Sequence, residues 1–460
     1  MKVVKFGGSS VASAAQYKKA GRIILADQAR KAIVVSAPGK RFDGDEKTTD
    51  LLIQLARSVQ GGQYNQKFFE AVLQRYYEII ENLGLDKDLK EQLEGILKEL
   101  ISLYGEDEDR LLDALKASGE DMNARLMTAY LLSLGHQASY VSPKEAGMIV
   151  TDEPGNAQIL PEAYERIGKL RSMEGILVIP GFFGYSYQGN IVTFPRGGSD
   201  ITGSIIAAGM DAEEYENFTD VDSVYCVSPK MVDHPCELKE ITYREMRELA
   251  YSGFSVFHDE ALQPVFQKGI PVRVKNTNRP EAAGTRIVLE RELNGQPVIG
   301  IASDTDFCSV NITKYLMNRE LGFGRRLLAI LEDEGISYEH TPSGIDNLSV
   351  ILRSHQLENG KEKRVIDRIE RELEVDDINI ERDLAMIMVV GEGMKHTVGV
   401  ASKAAQALAE SGANIKMINQ GSSEVSMMFG VDGASVVKAV NHLYRAYFPS
   451  NERQLNGEVK

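Results

Sequence analysis

Apolar and polar positions change period three times in the first forty residues. Residues 2–6 alternate and are rich in valine, the pattern of a strand. Gly7, Gly8, Ser9 and Ser10 break that pattern, residues 12–26 carry apolar positions at helical spacing, and 31–36 is an apolar run of strand length. Strand, loop, helix and strand in that order predict an α/β unit with a parallel sheet. From 61 to 118 Leu, Glu, Lys and Gln dominate. There Leu89, Leu93, Ile96, Leu97 and Leu100 share one helical face, so a mostly helical insert is predicted. Strand patterns return at 175–180, 190–194, 215–219 and 271–275. The first domain is placed at 1–292, where Asn294 and Gly295 mark a turn.

The last third repeats itself. Gly322, Gly335 and Ser349 are spaced 13 and 14 apart, and so are Gly399, Gly412 and Ser426. Each set frames strand, helix, strand, strand, helix, which predicts a ferredoxin-like α+β unit used twice, at 303–384 and 385–448. The second copy is one strand short, and the apolar run 298–302 is available to supply it. Residues 449–460 read as a polar tail.

Composition narrows the partners. Lys+Arg 52 against Asp+Glu 67 gives a net charge of −15, which argues against nucleic acid or an anionic membrane. No apolar run reaches the length of a membrane span, and the N-terminus has no signal-peptide core. Cys226, Cys236 and Cys308 are an odd count without CxxC spacing, so they are read as reduced thiols of a cytoplasmic protein. No HxxxH or HExxH pair occurs, and no protein-held metal is expected.

Three motifs carry candidate chemistry. KFGGSS at 5–10 sets Lys5 at a strand end, then glycines, then a helix start. Backbone amides there can approach phosphate oxygens, and the helix N-terminus adds positive potential. The plainer reading is a tight βα turn with a surface lysine. It is not a Walker loop, and no GxGxxG fingerprint is present. RGGSD at 196–200 repeats the device after the strand pattern ending at Phe194. Two such loops in one sheet can face each other across a phosphate. Asp200 either caps its helix or orients Lys5. TDVDSVY at 219–225 ends a strand with Asp220, Asp222 and Tyr225. This is a capped turn with a core tyrosine, or a carboxylate for ribose and a ring for adenine. Lys230 is either solvated or within reach of phosphates.

Taken together, KFGGSSVA at 5–12, SGE at 118–120, FPRGGSD at 194–200 and TDVDSVY at 219–225 resemble aspartate kinase (aspartokinase) of the amino-acid kinase family, and the repeat resembles its paired ACT domains. The resemblance covers nearly the whole chain. It implies an open, mostly parallel amino-acid kinase sheet followed by two ACT domains, and ATP-dependent phosphorylation of the aspartate β-carboxylate. It implies catalytic roles for Lys5, Gly8 and Asp200. Aspartate would be held by Ser36, Thr49, Glu120 (ammonium), Arg196 (carboxylate clamp) and Ser199. ATP would be held by Lys5, Gly7, Gly8, Ser9, Gly197, Gly198, Thr219, Asp220, Tyr225 and Lys230, with Mg²⁺ carried mainly on its phosphates. One departure stands out: Ser255 occupies the place where many members carry a phosphate-reaching lysine.

The resemblance further implies feedback by a pathway amino acid, lysine or threonine or both. The effector would bind at Met317, Glu320, Phe323 and Gly324, with Ser343 and Asp346 from a facing loop; that loop is also plain turn chemistry. A homodimer or dimer of dimers through the ACT domains is implied. The alternatives are another amino-acid kinase, acting on acetylglutamate or glutamate, and a non-catalytic amino-acid sensor.

Overall fold

The computed structural model describes residues 1–61, 64–195, 197–254, 259–293 and 295–449. They form two units. The first holds Met1–Val224, Glu237–Arg247 and the described part of 255–291. The second holds Tyr225–Cys236, Glu248–Phe254 and the described part of 292–460.

The first unit is built on eight strands: β1 (Lys2–Phe6), β2 (Arg30–Val35), β3 (Ala138–Tyr140), β4 (Ile176–Pro180), β7 (Glu214–Thr219), β8 (Glu240–Thr242), β9 (Val272–Asn276) and β10 (Thr285–Val288). A hairpin of β5 (Phe183–Tyr185) and β6 (Ile191–Thr193) stands apart from them. The sheet order is β3-β4-β2-β1-β7-β9-β10-β8, parallel except where β10 meets β9. Helix α1 (Ala14–Leu25) links the first two strands, and four helices follow them: α2 (Thr48–Gln60), α3 (Gln66–Leu83), α4 (Asp88–Tyr104) and α5 (Glu108–Ser133). Val4, Phe6, Ile33 and Val35 pack with residues of these helices in one apolar core. Strand alternation turns Val3 and Lys5 to the opposite face. There, beyond two short helices, α6 (Pro143–Ala146) and α7 (Ala163–Gly168), lies α8 (Gly198–Gly209).

The hairpin corrects one expectation. The strand before RGGSD was read as part of the main sheet, but β6 pairs only with β5, from Phe183↔Thr193 to Tyr185↔Ile191. The reason is local. Ser186 N donates to Asn190 O (2.9 Å) and Asn190 N to Ser186 Oγ (3.2 Å), so the chain doubles back on itself. The second glycine loop therefore follows a hairpin and not a strand of the large sheet.

The second unit carries β11 (Gly300–Thr313), β12 (Asn347–Arg353), β13 (Asp377–Val390), β14 (Met417–Asn419) and β15 (Ser426–Asp432) in one antiparallel sheet, ordered β12-β11-β13-β15-β14. Both repeats share it. β11 pairs with β13 from Gly300↔Val390 to Thr313↔Asp377, with a register shift between Asp304 and Phe307. Residues 300–302 thus lie beside 388–390. In the first repeat the strand expected before β12 is reduced to the isolated bridges Ser343↔Leu348 and His340↔Ile351. Pro342 offers no amide to a ladder, and Gly344 N turns back to Asn347 O (2.8 Å). A second correction concerns the cysteines. Cys226 and Cys236, read as free thiols, are joined in a disulfide, with Cys226 N donating to Cys236 O at 2.9 Å. Cys308 is free and buried. Among the described residues no helix is long and apolar enough to cross a membrane.

Candidate active site

Lys5 is the last inward residue before β1 runs into the glycine loop, and its side chain is 8% exposed. Its Nζ lies 2.6 Å from Asp200 Oδ1, and Asn217 Nδ2 of the neighbouring strand donates to the same oxygen at 2.8 Å. Asp200 sits in the first turn of α8, whose N-cap, Gly197, is left-handed (φ 74°) and offers no side-chain cap. Asp200 is thus paired with Lys5 and Asn217. The two glycine loops are brought together across this pair.

Crossing backbones shape the loops. Gly7 N donates to Phe218 O (3.0 Å), so its amide is spent on the sheet and not free for a phosphate as the sequence reading had it. Gly39 N donates to Gly8 O (2.9 Å). A Cβ on Gly8 would stand 2.9 Å from Ala37 O and 3.2 Å from Gly39 Cα. Both neighbours are backbone and cannot swing aside. Gly8→Ala is therefore expected to cost about 1–3 kcal/mol and to open the loop. A lowered melting temperature with a raised KM for ATP is the signature to measure. Gly198 is crowded by side chains instead, since its Cβ would meet the Phe182 ring at 2.4 Å and Phe194 Cβ at 3.0 Å.

Gly8, Ser9, Gly197, Gly198 and Ser199 line one cleft of about 500 Å³. So do Ser36, Thr49, Glu120 and Asp220. Thr219, beside Asp220, donates its hydroxyl to that carboxylate at 3.1 Å. Tyr225 and Lys230 belong to the second unit. Arg196 and Ser255 lie outside the described residues. Sequence reasoning missed Gly39, Lys40, Lys47 and Phe182, which also line the cleft. It also missed the two asparagines that hold it: Asn217, on Asp200, and Asn123, whose Nδ2 donates to Ser36 O at 2.6 Å. Gly39 was legible as a glycine after a proline. The asparagines had no local signal.

Glu120 lies mid-way along α5, 5% exposed. Gly119 beside it lets α5 close up, because a Cβ there would meet Ala37 Cβ at 2.9 Å and Leu52 Cδ1 at 3.0 Å. Burial pushes the Glu120 carboxyl up to about 8, against the pull of amides from Ala37 and its own residue. Its Oε2 is buried without a hydrogen-bond partner. A carboxyl in that state awaits a cationic ligand or a proton.

In the second unit, two loops are laced together. Asp346 O accepts from Lys314 N (2.8 Å), and Asp346 Oδ1 from Leu316 N (2.8 Å). Glu320 Oε2 pairs with Lys314 (2.7 Å) and its other oxygen with Arg326, which holds its carboxyl below the ordinary range. Met317 is buried, and Phe323 and Gly324 open the helix Phe323–Asp333. Ser343 is in the facing loop, at the bridge to Leu348.

A parallel sheet with a lysine-bearing glycine loop facing a second glycine loop at a helix N-terminus defines a phosphate-handling transferase of the amino-acid kinase type. The amino acid kinase family model matches residues 1–276, and an ACT domain model matches 387–447. The chain is 55% identical over 448 residues to Aspartokinase 3 of Bacillus subtilis, covering 97% of this chain and 99% of that one. Its fold matches the aspartate kinase of Clostridium acetobutylicum, described as an allosteric enzyme, with TM-score 0.87 and 38% identity, over 97% of this chain and 100% of that one. It also matches E. coli aspartokinase III in complex with aspartate and ADP, with TM-score 0.78 and 25% identity, over 97% and 100%. The chain belongs to the amino acid kinase family and, within it, to the aspartokinases.

Proposed function

We propose that the protein transfers the γ-phosphoryl group of ATP to the side-chain carboxylate of L-aspartate, under feedback control by an amino acid bound to the C-terminal repeats. One observation carries the reading. Two glycine loops and a buried carboxyl with one partnerless oxygen line one cleft, and a lysine held by an aspartate lies against the first of those loops. The E. coli relative's complex with aspartate and ADP supports the same ligands here.

The acceptor carboxylate is ionised at neutral pH, so no general base is required. One of its oxygens attacks the γ-phosphorus. The bond from that phosphorus to the β–γ bridging oxygen breaks, and the electron pair leaves with ADP. Catalysis is positioning and charge neutralisation. Glu120 holds the aspartate ammonium, while Ser36, Thr49 and Ser199 fix the acceptor and Arg196 clamps a carboxylate. Lys5, with the amides of Gly8 and Gly198, faces the transferred group. Thr219 and Asp220 serve the nucleotide. Mg²⁺ prefers phosphate and water oxygens, and a cleft offering Asp220 at a strand end fits an ion carried in on ATP. When bound, that ion neutralises phosphate charge.

The effector site is assigned to Met317, Glu320, Phe323, Gly324, Ser343 and Asp346. Exposed Leu321, Ile345 and Val398 support pairing of C-terminal units in a dimer. Because ATP and free aspartate are intracellular, the reaction is placed in the cytoplasm. The test is hydroxamate trapping of the acyl phosphate. A product is expected with aspartate but not with acetylglutamate or glutamate, and suppression is expected from lysine, threonine or the two together. A product from acetylglutamate alone overturns the substrate, and indifference to both effectors overturns the control.

A further inference from the structure

We propose that Lys40 and Lys47, on the strap that crosses the first glycine loop, bind the terminal phosphates of ATP and carry positive charge to the phosphoryl group during transfer. The proposal deepens the kinase reading and rests on it.

Charge within the cleft is the first argument. ATP brings several negative charges to a site whose acceptor is itself an anion. Lys5 is already 2.6 Å from Asp200, so much of its charge is offset before any ligand arrives. Glu120 and Asp220 add acids to the lining. Among the described residues, Lys40 and Lys47 are the cations that line the cleft, and neither makes an ion pair with an acid there. Both are exposed. Two unopposed ammonium groups beside this site are complementary to phosphate oxygens, and the KM for aspartate separates that role from a contact to the acceptor's carboxylates.

The strap's placement is the second argument. Gly39 lies in direct backbone contact with Gly8, and a Cβ on it would come within 2.7 Å of Gly8 C. Lys40 is the next residue, so it leaves the strap beside the loop assigned to the phosphates. At the other end, Lys47 is the extended N-cap of α2 and makes no side-chain cap bond. Thr49, two residues on, lines the same cleft.

The third argument is that the strap is anchored from behind. Asp45 accepts from Arg41 N (2.9 Å), Arg41 Nε (3.0 Å) and Arg75 Nη1 (2.7 Å). Buried Arg75 also donates to Glu46 O, and Arg41 Nη1 pairs with Glu78 at 2.6 Å. The strap's arginine and Asp45 are thus consumed in pinning it to α3, which leaves only the two lysines turned to the cleft. A fixed mount is what a phosphate contact needs if it is to act without reorganisation.

The experiment uses the full chain and compares Lys40→Ala, Lys47→Ala, the double variant and both Lys→Arg variants. Two readouts are taken: steady-state kinetics with aspartate and ATP, and calorimetric binding of ATP with Mg²⁺ and no acceptor. Each alanine is expected to lower kcat/KM for ATP about 10–100-fold, to weaken ATP binding, and to leave KM for aspartate nearly unchanged. Arginine is expected to restore ATP binding. If Lys47→Ala fails to fold, Lys47→Gln replaces it and is read in the same way. ATP binding and kcat at wild-type levels in the double variant would overturn the proposal, as would a loss seen only in KM for aspartate. Should the wild type bind ATP but not phosphorylate aspartate, the substrate assignment fails. The binding arm still decides the role of the lysines.

Discussion

Replacing Lys5 with alanine is expected to lower kcat by roughly 10²–10³-fold while the protein stays folded. The fold should survive because β1 is held by its neighbours on both sides and by the core contacts of Val4 and Phe6, none of which involve the Lys5 side chain. The kinetic loss follows from position. The ammonium is fixed by Asp200, which Asn217 holds in turn, so it is in place before the phosphoryl group moves. Removing it also leaves Asp200, 17% exposed, with Asn217 as its remaining partner. A stability loss of about 1–3 kcal/mol should accompany the kinetic one. Asp200→Asn separates the two effects. It keeps the lysine, loses its anchor, and should cost less in kcat than Lys5→Ala. Steady-state rates and thermal melts of the two variants and their double mutant are the measurement. Near-wild-type turnover by Lys5→Ala would remove Lys5 from the reaction.

How much of this site was legible depends on how local each feature is. The first glycine loop announces itself because strand, lysine, glycines and helix are consecutive, and β1 and α1 form where the periodicity put them. The second loop was legible as a loop but not as a neighbour of β6's hairpin, because the choice of strand partner is made by the turn at Ser186–Asn190 and not by the strand's own pattern. Glu120 was legible from its motif, but its burial was not. A glycine at 119 reads as an interruption, whereas here it is the contact that lets α5 approach Leu52 and Ala37. Asn217, Asn123 and Arg75 act across 17, 87 and 30 residues of sequence. No periodicity signals such partners. The duplicated C-terminal repeat was legible from its spacing, yet the fusion of its sheets through β11 and β13 was not. Two 14-residue strands look, residue by residue, like a strand and a linker.

Glu120→Gln should produce the second large effect, and its sign differs between stability and activity. In the folded protein burial holds the carboxyl near 8, while in the unfolded chain it titrates in the ordinary carboxylate range. The folded state therefore keeps a proton that the unfolded state releases between those two values. Native stability falls as pH rises through that window, by on the order of 3 kcal/mol at pH 7, and levels off above about 8. Glutamine removes this dependence. Its amide leaves a polar group partly unsatisfied, at about 1–3 kcal/mol, which offsets much of the gain. The variant should thus be no more stable than wild type near pH 4.5 and about 1–3 kcal/mol more stable near pH 8. Activity should move the other way. An aspartate ammonium in contact with Glu120 favours the ionised carboxyl, so binding at pH 7 should release close to one proton from wild type and none from the variant. Loss of the charged contact should lower kcat/KM for aspartate by roughly 100-fold. Wild-type affinity for aspartate should rise from pH 6.5 to 8 and then flatten, while that of the variant stays level. Calorimetry in buffers of different ionisation enthalpy counts the proton directly. A wild type that binds aspartate at pH 7 without releasing one would mean that Glu120 does not receive the ammonium.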